Sequence, residues 1–222
     1  MTLSIIIPVL NEAAQLPEVF ARLASLQARG AQVLVVDGGS SDGSAQLPRA
    51  GVEWLQAAPG RARQMNAGAA QARGEVLLFL HADTQLPVQA DQLLTQALAR
   101  DRVWGRFDVR ISGRAWLLPV VAFMMNRRSR LTGIATGDQA MFVRRDTFEA
   151  LGGFAEQPLM EDIELSVRLR RISAPACLRA KVITSGRRWD SRGVWRTIFL
   201  MWRLRWAYWR GVPASRLAEA YR

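Results

Sequence analysis

The chain of 222 residues is half hydrophobic and 22% charged, which is enough apolar material for one well-buried core and argues against wholesale disorder. Its net charge of +11 is almost entirely arginine, Lys181 being the only lysine, so phosphate-bearing partners come into view: nucleic acid, an anionic membrane or a phosphorylated small molecule. Cys177 stands alone, which excludes an internal disulfide and a Cys/His zinc cluster. The N-terminus does not read as a signal peptide, and the longest apolar run, residues 115–125, is shorter than the ~20 residues a spanning helix needs.

In chain order, residues 3–10 form an apolar, β-branched run that predicts a strand buried on both faces, with Asn11 able to cap the helix that follows. Leu16, Val19, Phe20, Leu23 and Leu26 recur at helical spacing, and Gly30 ends that helix. Residues 33–36 read as a second strand and 52–55 as a third, edge-like one. Residues 61–72 read as an Ala-rich helix, 76–80 as a strand and 89–99 as a helix. The second half predicts strands at 107–111, within 137–145 and at 178–184, with helices at 115–128, 161–171, 194–210 and 214–221. Strands alternating with helices predict a mostly parallel sheet covered on both faces, and ligands bind such sheets at the carboxyl ends of the strands. That rule gathers Asn11 and Glu12, Asp37, and His81 with Asp83 on one rim.

Four clusters could carry chemistry. Asp37, followed by Gly38, Gly39 and Ser40, is either a capped turn or a carboxylate that accepts hydrogens from a ribose or base edge. His81, the only histidine, is either a structural hydrogen-bonding group or a ligand, while Asp83 is suited to a divalent cation bridging a diphosphate. Glu161, Asp162 and Glu164 open a helix, where acids either complement the dipole or supply a general base. Arg187, Arg188 and Trp189 form either a solvated basic turn or a group that neutralises a leaving diphosphate and stacks on a sugar.

Taken together and in order, these pieces resemble glycosyltransferase family 2, whose members have the GT-A fold. The resemblance is carried by SIIIPVLNE at 4–12, VVDGGSSDG at 35–43, GRARQMNAG at 60–68, HAD at 81–83, GDQAMFVR at 137–144, GGF at 152–154 and ED at 161–162. It covers about residues 3–190 and is similar to a compact bacterial subgroup. It implies a three-layer α/β/α fold of GT-A type, with a catalytic domain over 1–190 (nucleotide half about 1–100, acceptor half about 101–190) and a basic, aromatic helical tail over 191–222. The implied activity is inverting transfer from a UDP- or GDP-linked sugar to an acceptor hydroxyl on a lipid or glycan. By the same resemblance Asp162 is the base with Glu161 beside it. Asp83 holds Mg²⁺ or Mn²⁺, and Pro8, Asn11, Glu12, Asp37, Gly38, Arg61, Asn66, His81, Ala82, Arg188 and Trp189 line the donor site. Two positions depart from the family pattern. His81 stands where D-x-D has its first Asp, and Ser185 stands where Q-x-x-R-W has its Gln.

A metal-dependent nucleotidyltransferase would share the sheet but wants a Gly-rich basic loop after the first strand, where this chain has Asn11 and Glu12. A non-enzymatic basic module for membrane or nucleic acid would explain the charge but not the acids on the rim, and no nucleic-acid partner is expected. In the tail, Trp195, Ile198, Phe199, Trp202, Trp206 and Trp209 form one stripe and Arg196, Arg203 and Arg210 another. From Arg187 onward nine arginines face two acids, a net of +7. The stripe fits either a helix packed on its own domain or an interfacial helix, and the charge favours peripheral contact with an anionic membrane, on the inner face of the cell membrane for a cytoplasmic protein.

Overall fold

The computed structural model describes every residue except Arg49, Arg100 and Arg222. Strand β1 (Leu3–Val9) is buried at all seven positions, and its alternating side chains feed two cores. Ile5, Ile7 and Val9 point into one, closed by helices α1 (Leu16–Ala28), α3 (Ala90–Leu98) and α4 (Leu118–Thr132). Ile6 points into the other, closed by α2 (Arg61–Gln71), α5 (Arg145–Ala150) and α6 (Glu161–Leu169). Helices on both faces of a sheet give the expected three layers.

The remaining strands are β2 (Gln32–Asp37), β3 (Val52–Gln56), β4 (Val76–Phe79), β5 (Thr84–Gln85), β6 (Trp104–Ser112), β7 (Phe142–Arg144) and β8 (Ala176–Ser185). They form one sheet in the order β3-β2-β1-β4-β7-β6-β8-β5, with β3 at the edge as expected. The quartet β3-β2-β1-β4 is entirely parallel, whereas β7 runs antiparallel to β4 and β6, and β5 antiparallel to β8. β6 changes neighbour within its length. Trp104 and Gly105 pair with β7, and from Gly105 to Ser112 the strand runs parallel to β8. A Cβ at Gly105 would overlap the carbonyl oxygen of Ala176 and the ring of Phe142, so this crossing leaves no room for a side chain.

Several expectations are corrected. Asn11 does not cap α1, which starts at Leu16 after an N-cap without a side-chain bond. Instead Asn11 turns left-handed (φ 57°) and its side chain accepts the Ser41 N–H at 2.9 Å. The helix expected over 115–128 is α4, shifted to Leu118–Thr132 because Asp190 accepts the N–H groups of Arg114 and Ala115 ahead of it, and because Gly133 (φ 65°) ends it. Within 137–145, a single 3₁₀ turn at Gly137–Gln139 precedes β7. The two-residue β5, α5 and α7 (Arg187–Arg192) carry no periodic signal.

The tail forms α8 (Val194–Trp209) and α9 (Ala214–Tyr221). Its inner face is aliphatic: Leu204 and Leu217 pack on Met160, with Leu159 and Ile163 alongside. Trp195, Phe199, Trp202, Trp206 and Trp209 point outward, each at least 60% exposed, which overturns the alternative of a stripe buried in its own domain. Ile198 leaves the stripe and packs against the main core.

Gly105→Ala is expected to destabilise the fold by about 1–3 kcal/mol, the usual cost of forcing atoms into a filled interior, read as a lower urea midpoint at unchanged m-value.

Candidate active site

Parallel pairing aligns the ends of β1, β2 and β4, so the loops after them share one rim. Pro8, inside buried β1, lies opposite Val36. Asp37 closes β2 with 1% exposure, and its Oδ1 accepts the Ser40 N–H at 3.0 Å and the Ser40 hydroxyl at 2.6 Å. Gly38 donates its N–H to the carbonyl of Val9, and the Gln64 amide donates to the carbonyls of Val9 and Val36 at 2.7 Å each. Space is tight at this glycine: an added Cβ would sit 3.1 Å from the Gln64 amide. Asp42 ties the two loops by accepting from the Ser44 hydroxyl and from the Ala13 N–H at 2.8 Å. Those bonds hold its carboxyl below the ordinary range.

Arg61 opens α2 from an exposed position. Asn66, one turn further, exchanges both amide bonds with the backbone of Phe154 at 2.9 Å, which fastens the first half of the chain to the second. Ala82 is buried between His81 and Asp83. His81 Nδ1 lies 3.5 Å from Asp138 Oδ1, and the ring is pressed so closely on Gly137 that a Cβ there would overlap it. Asp83 is half-buried and lies 3.6 Å from the guanidinium of Arg187, which also lies 3.8 Å from Glu12. Burial pushes the Glu12 carboxyl up. The charge of Asp83 adds to this, and Arg187 opposes it.

Across the cleft, Met160 takes a left-handed conformation (φ 68°) and turns the chain into α6, which begins with Glu161 and Asp162. Among the described non-glycine residues only Asn11, Ala140 and Met160 have positive φ. Asn11 follows β1, Ala140 follows the Gly137–Gln139 turn, and Met160 precedes α6. Asp162 Oδ2 accepts the Gly137 N–H at 2.8 Å and Oδ1 the Ile163 N–H at 2.7 Å. Burial pushes both carboxyls up. The charge of Asp162 raises Glu161 further, while the two N–H bonds oppose the rise at Asp162. Burial also works against Asp138, but the hydrogen bond and charge of His81, with Arg61 and Arg188 beyond, hold it below the ordinary range.

The arginine pair divides. Arg187 faces the carboxylates of the first half. Arg188 stacks on Tyr221 at 3.9 Å and keeps a buried nitrogen without a hydrogen-bond partner. Trp189 is half-buried against the main core. Arg128 on α4 has two buried guanidinium nitrogens with no acceptor. Burial lowers its pKa and the charge of Asp162 counteracts this, which places it within electrostatic reach of that carboxylate. Arg128, Asp138 and Tyr221 were missed in the sequence. Nothing in their spacing marks them, although Asp138 lies inside the Gly137 segment already singled out.

Among the described residues no group of three or more His, Cys, Asp or Glu side chains could hold a metal. The carboxylate of Asp83 on an open rim nonetheless fits a hard cation, whose other ligands would be diphosphate oxygens and water rather than a protein cage.

A model of glycosyl transferase family 2 matches residues 4–152, and the chain belongs to this family, which sets the nucleotidyltransferase alternative aside. It is 31% identical, over 154 residues, to an undecaprenyl-phosphate 4-deoxy-4-formamido-L-arabinose transferase of Pseudomonas aeruginosa; the match covers 64% of this chain and 45% of that one. The chain thus spans less than half the length of that curated relative. Among solved structures it superposes on mannosyl-3-phosphoglycerate synthase from Rubrobacter xylanophilus with a TM-score of 0.65 at 19% identity, covering 95% of this chain and 75% of that one. It also superposes on a mannosyltransferase from Pyrobaculum calidifontis, solved with GDP-Man and Mn²⁺, with a TM-score of 0.64 at 19% identity, covering 92% and 60%. These likenesses establish the GT-A fold.

The raised carboxyl of Glu161 has a sign that can be checked. A buried acid whose pKa is raised by folding favours the folded state below its unfolded value of 4.5 and loses that contribution as the pH rises above it. Glu161→Gln is therefore expected to raise the thermal midpoint at pH 8, with the gain shrinking to nothing below about pH 4.5. An equal gain at both pH values would remove ionisation as the cause.

Proposed function

We propose that this protein transfers a sugar, with inversion, from a nucleoside-diphosphate sugar to the hydroxyl of a lipid-linked or membrane-associated acceptor. The observation that carries the reading is the placement of Asp162: a half-buried carboxylate fixed by the N–H groups of Gly137 and Ile163, on the turn that packs against His81. The donor lies along the rim of strand ends. Asp37 and Gly38 meet the nucleoside, with Pro8, Asn11, Glu12 and Arg61 around it. Asp83 holds a divalent cation, Mg²⁺ or Mn²⁺, whose chemistry is to screen diphosphate charge. Arg187 and Arg188 face the leaving diphosphate. His81 and Ala82 set the direction of Asp83, and Trp189 backs Arg188. Asp162 takes the proton of the acceptor hydroxyl as its oxygen bonds to the anomeric carbon, and the bond from that carbon to the diphosphate oxygen breaks with its electrons. The raised affinity of Asp162 for a proton suits it to this task, and Glu161 keeps the neighbourhood acidic. Mn²⁺ and GDP-mannose in the Pyrobaculum structure, and the polyprenyl phosphate in the name of the Pseudomonas relative, agree with this reading.

Asp162→Asn is expected to lower turnover by ~10²–10⁴-fold while calorimetry shows nearly unchanged donor binding. Turnover within a few-fold of the parent would remove Asp162 from the role. Asp83→Ala should abolish the Mn²⁺-dependent part of donor binding. If EDTA leaves the parent's activity untouched, Arg187 becomes the better partner for the diphosphate, since it already lies 3.6 Å from Asp83.

The exposed aromatic face of α8 supports contact with a membrane surface. Apolar rings at headgroup depth beside Arg196, Arg203 and Arg210 match an interfacial helix, and no described helix is long and apolar enough to span a bilayer. Serine in place of both Trp202 and Trp206 should weaken binding to anionic liposomes and leave the thermal midpoint unchanged, because both rings lie outside the packed face. Undiminished sedimentation with liposomes would point to a protein partner for this face.

A further inference from the structure

A second charged feature lies away from the cleft. Between α4 and the β6–β8 ladder runs a groove of about 1020 Å³. Its floor is the outer face of the ladder. Asp108 lies opposite Lys181, and Arg110 follows two residues along. Its wall is α4, which contributes Phe123 and Arg127, and Trp116 and Arg114 stand at its end. The one acid, Asp108, is consumed by ion pairs with Arg106 and Arg130. Arg110, Arg114, Arg127 and Lys181 are exposed, and their side chains have no ion pair or hydrogen bond among the described residues. Four uncompensated cations therefore share a groove with Trp116, 80% exposed, and Phe123, 60% exposed. Water satisfies the cations but not the rings, and an apolar partner satisfies the rings but not the cations. A ligand carrying both a phosphate and a hydrocarbon chain suits both.

We propose that this groove binds the headgroup and upper acyl chain of an anionic phospholipid. Its place in the fold supports a bilayer source. Asp190 binds the backbone of Arg114 and Ala115 at 3.1 and 3.2 Å, and α8 with its outward aromatics begins four residues further on. The outer face of α4 continues the apolar surface with Val120, Met124 and Leu131, all more than half exposed. The groove thus lies next to the helix that the preceding section sets at the headgroup level, and it would seat one discrete lipid where α8 offers only a diffuse surface.

The test uses the whole chain and lipid binding alone, so it stands whatever sugar is transferred. Calorimetry with dihexanoyl phosphatidylglycerol below its micelle concentration should show saturable binding, and dihexanoyl phosphatidylcholine should bind at least several-fold more weakly. The triple variant Arg110→Gln, Arg127→Gln, Lys181→Gln, with α8 intact, should bind the anionic lipid on the order of 100-fold more weakly, as expected when basic contacts each contribute about 1 kcal/mol. Its thermal midpoint shows whether it is folded. A second variant, Phe123→Ser, should weaken the lipid and leave inorganic phosphate unaffected. Equal binding of both lipids, inorganic phosphate binding as tightly as the lipid, or wild-type lipid affinity in the folded triple variant would each overturn the proposal.

Discussion

Asp162 Oδ2 accepts the backbone N–H of Gly137 at 2.8 Å, and three segments meet through that bond. Gly137 carries the turn that holds Asp138, Asp138 engages His81 in the first half of the chain, and Asp162 opens α6. The bond needs a glycine on one side, because His81 occupies the space of a side chain, and a left-handed Met160 on the other to aim α6. A charge-assisted bond to a buried carboxylate contributes more than an ordinary amide pair. It also partly offsets the rise that burial gives the Asp162 carboxyl. One contact thus links the position of the acid to its proton affinity.

Asn66 and Phe154 make a second stitch between the halves, which keeps the rim of strand ends and the acidic helix facing each other. The electrostatics divide along the same line. The rim of strand ends has carboxylates with Arg187 already among them, whereas Arg128 and Arg188 have buried nitrogens that find no hydrogen-bond partner among the described residues. Buried donors left unpaired cost free energy.

The first half of the chain was legible in the sequence because its signals are local. A continuous apolar run followed by Asp-Gly-Gly-Ser or His-Ala-Asp predicts a buried strand and a polar rim, and β1, β2 and β4 follow within a residue or two. The second half was less legible because its order comes from contacts distant in sequence. Nothing in Leu159 or Met160 announces a left-handed turn, and nothing near Gly105 announces that β6 changes neighbour. Adjacent arginines on a helix point about 100° apart, so a motif match cannot decide which of Arg187 and Arg188 reaches Asp83. Periodicity predicts that the tail aromatics share a stripe but not which way it faces. That depends on Leu204 and Leu217 finding Met160.

The Met160, Leu204 and Leu217 cluster also bears on how the molecule can be divided. The residue that turns the chain into the acidic helix has its own side chain covered by α8 and α9. Mechanically the C-terminal helices are therefore a buttress and not an appendage: a load on their outer surface is transmitted to the backbone one residue before Glu161. A shortened chain would lose the support behind its acid pair. Variation in this region has more freedom on the aromatic outer side than on the aliphatic inner one.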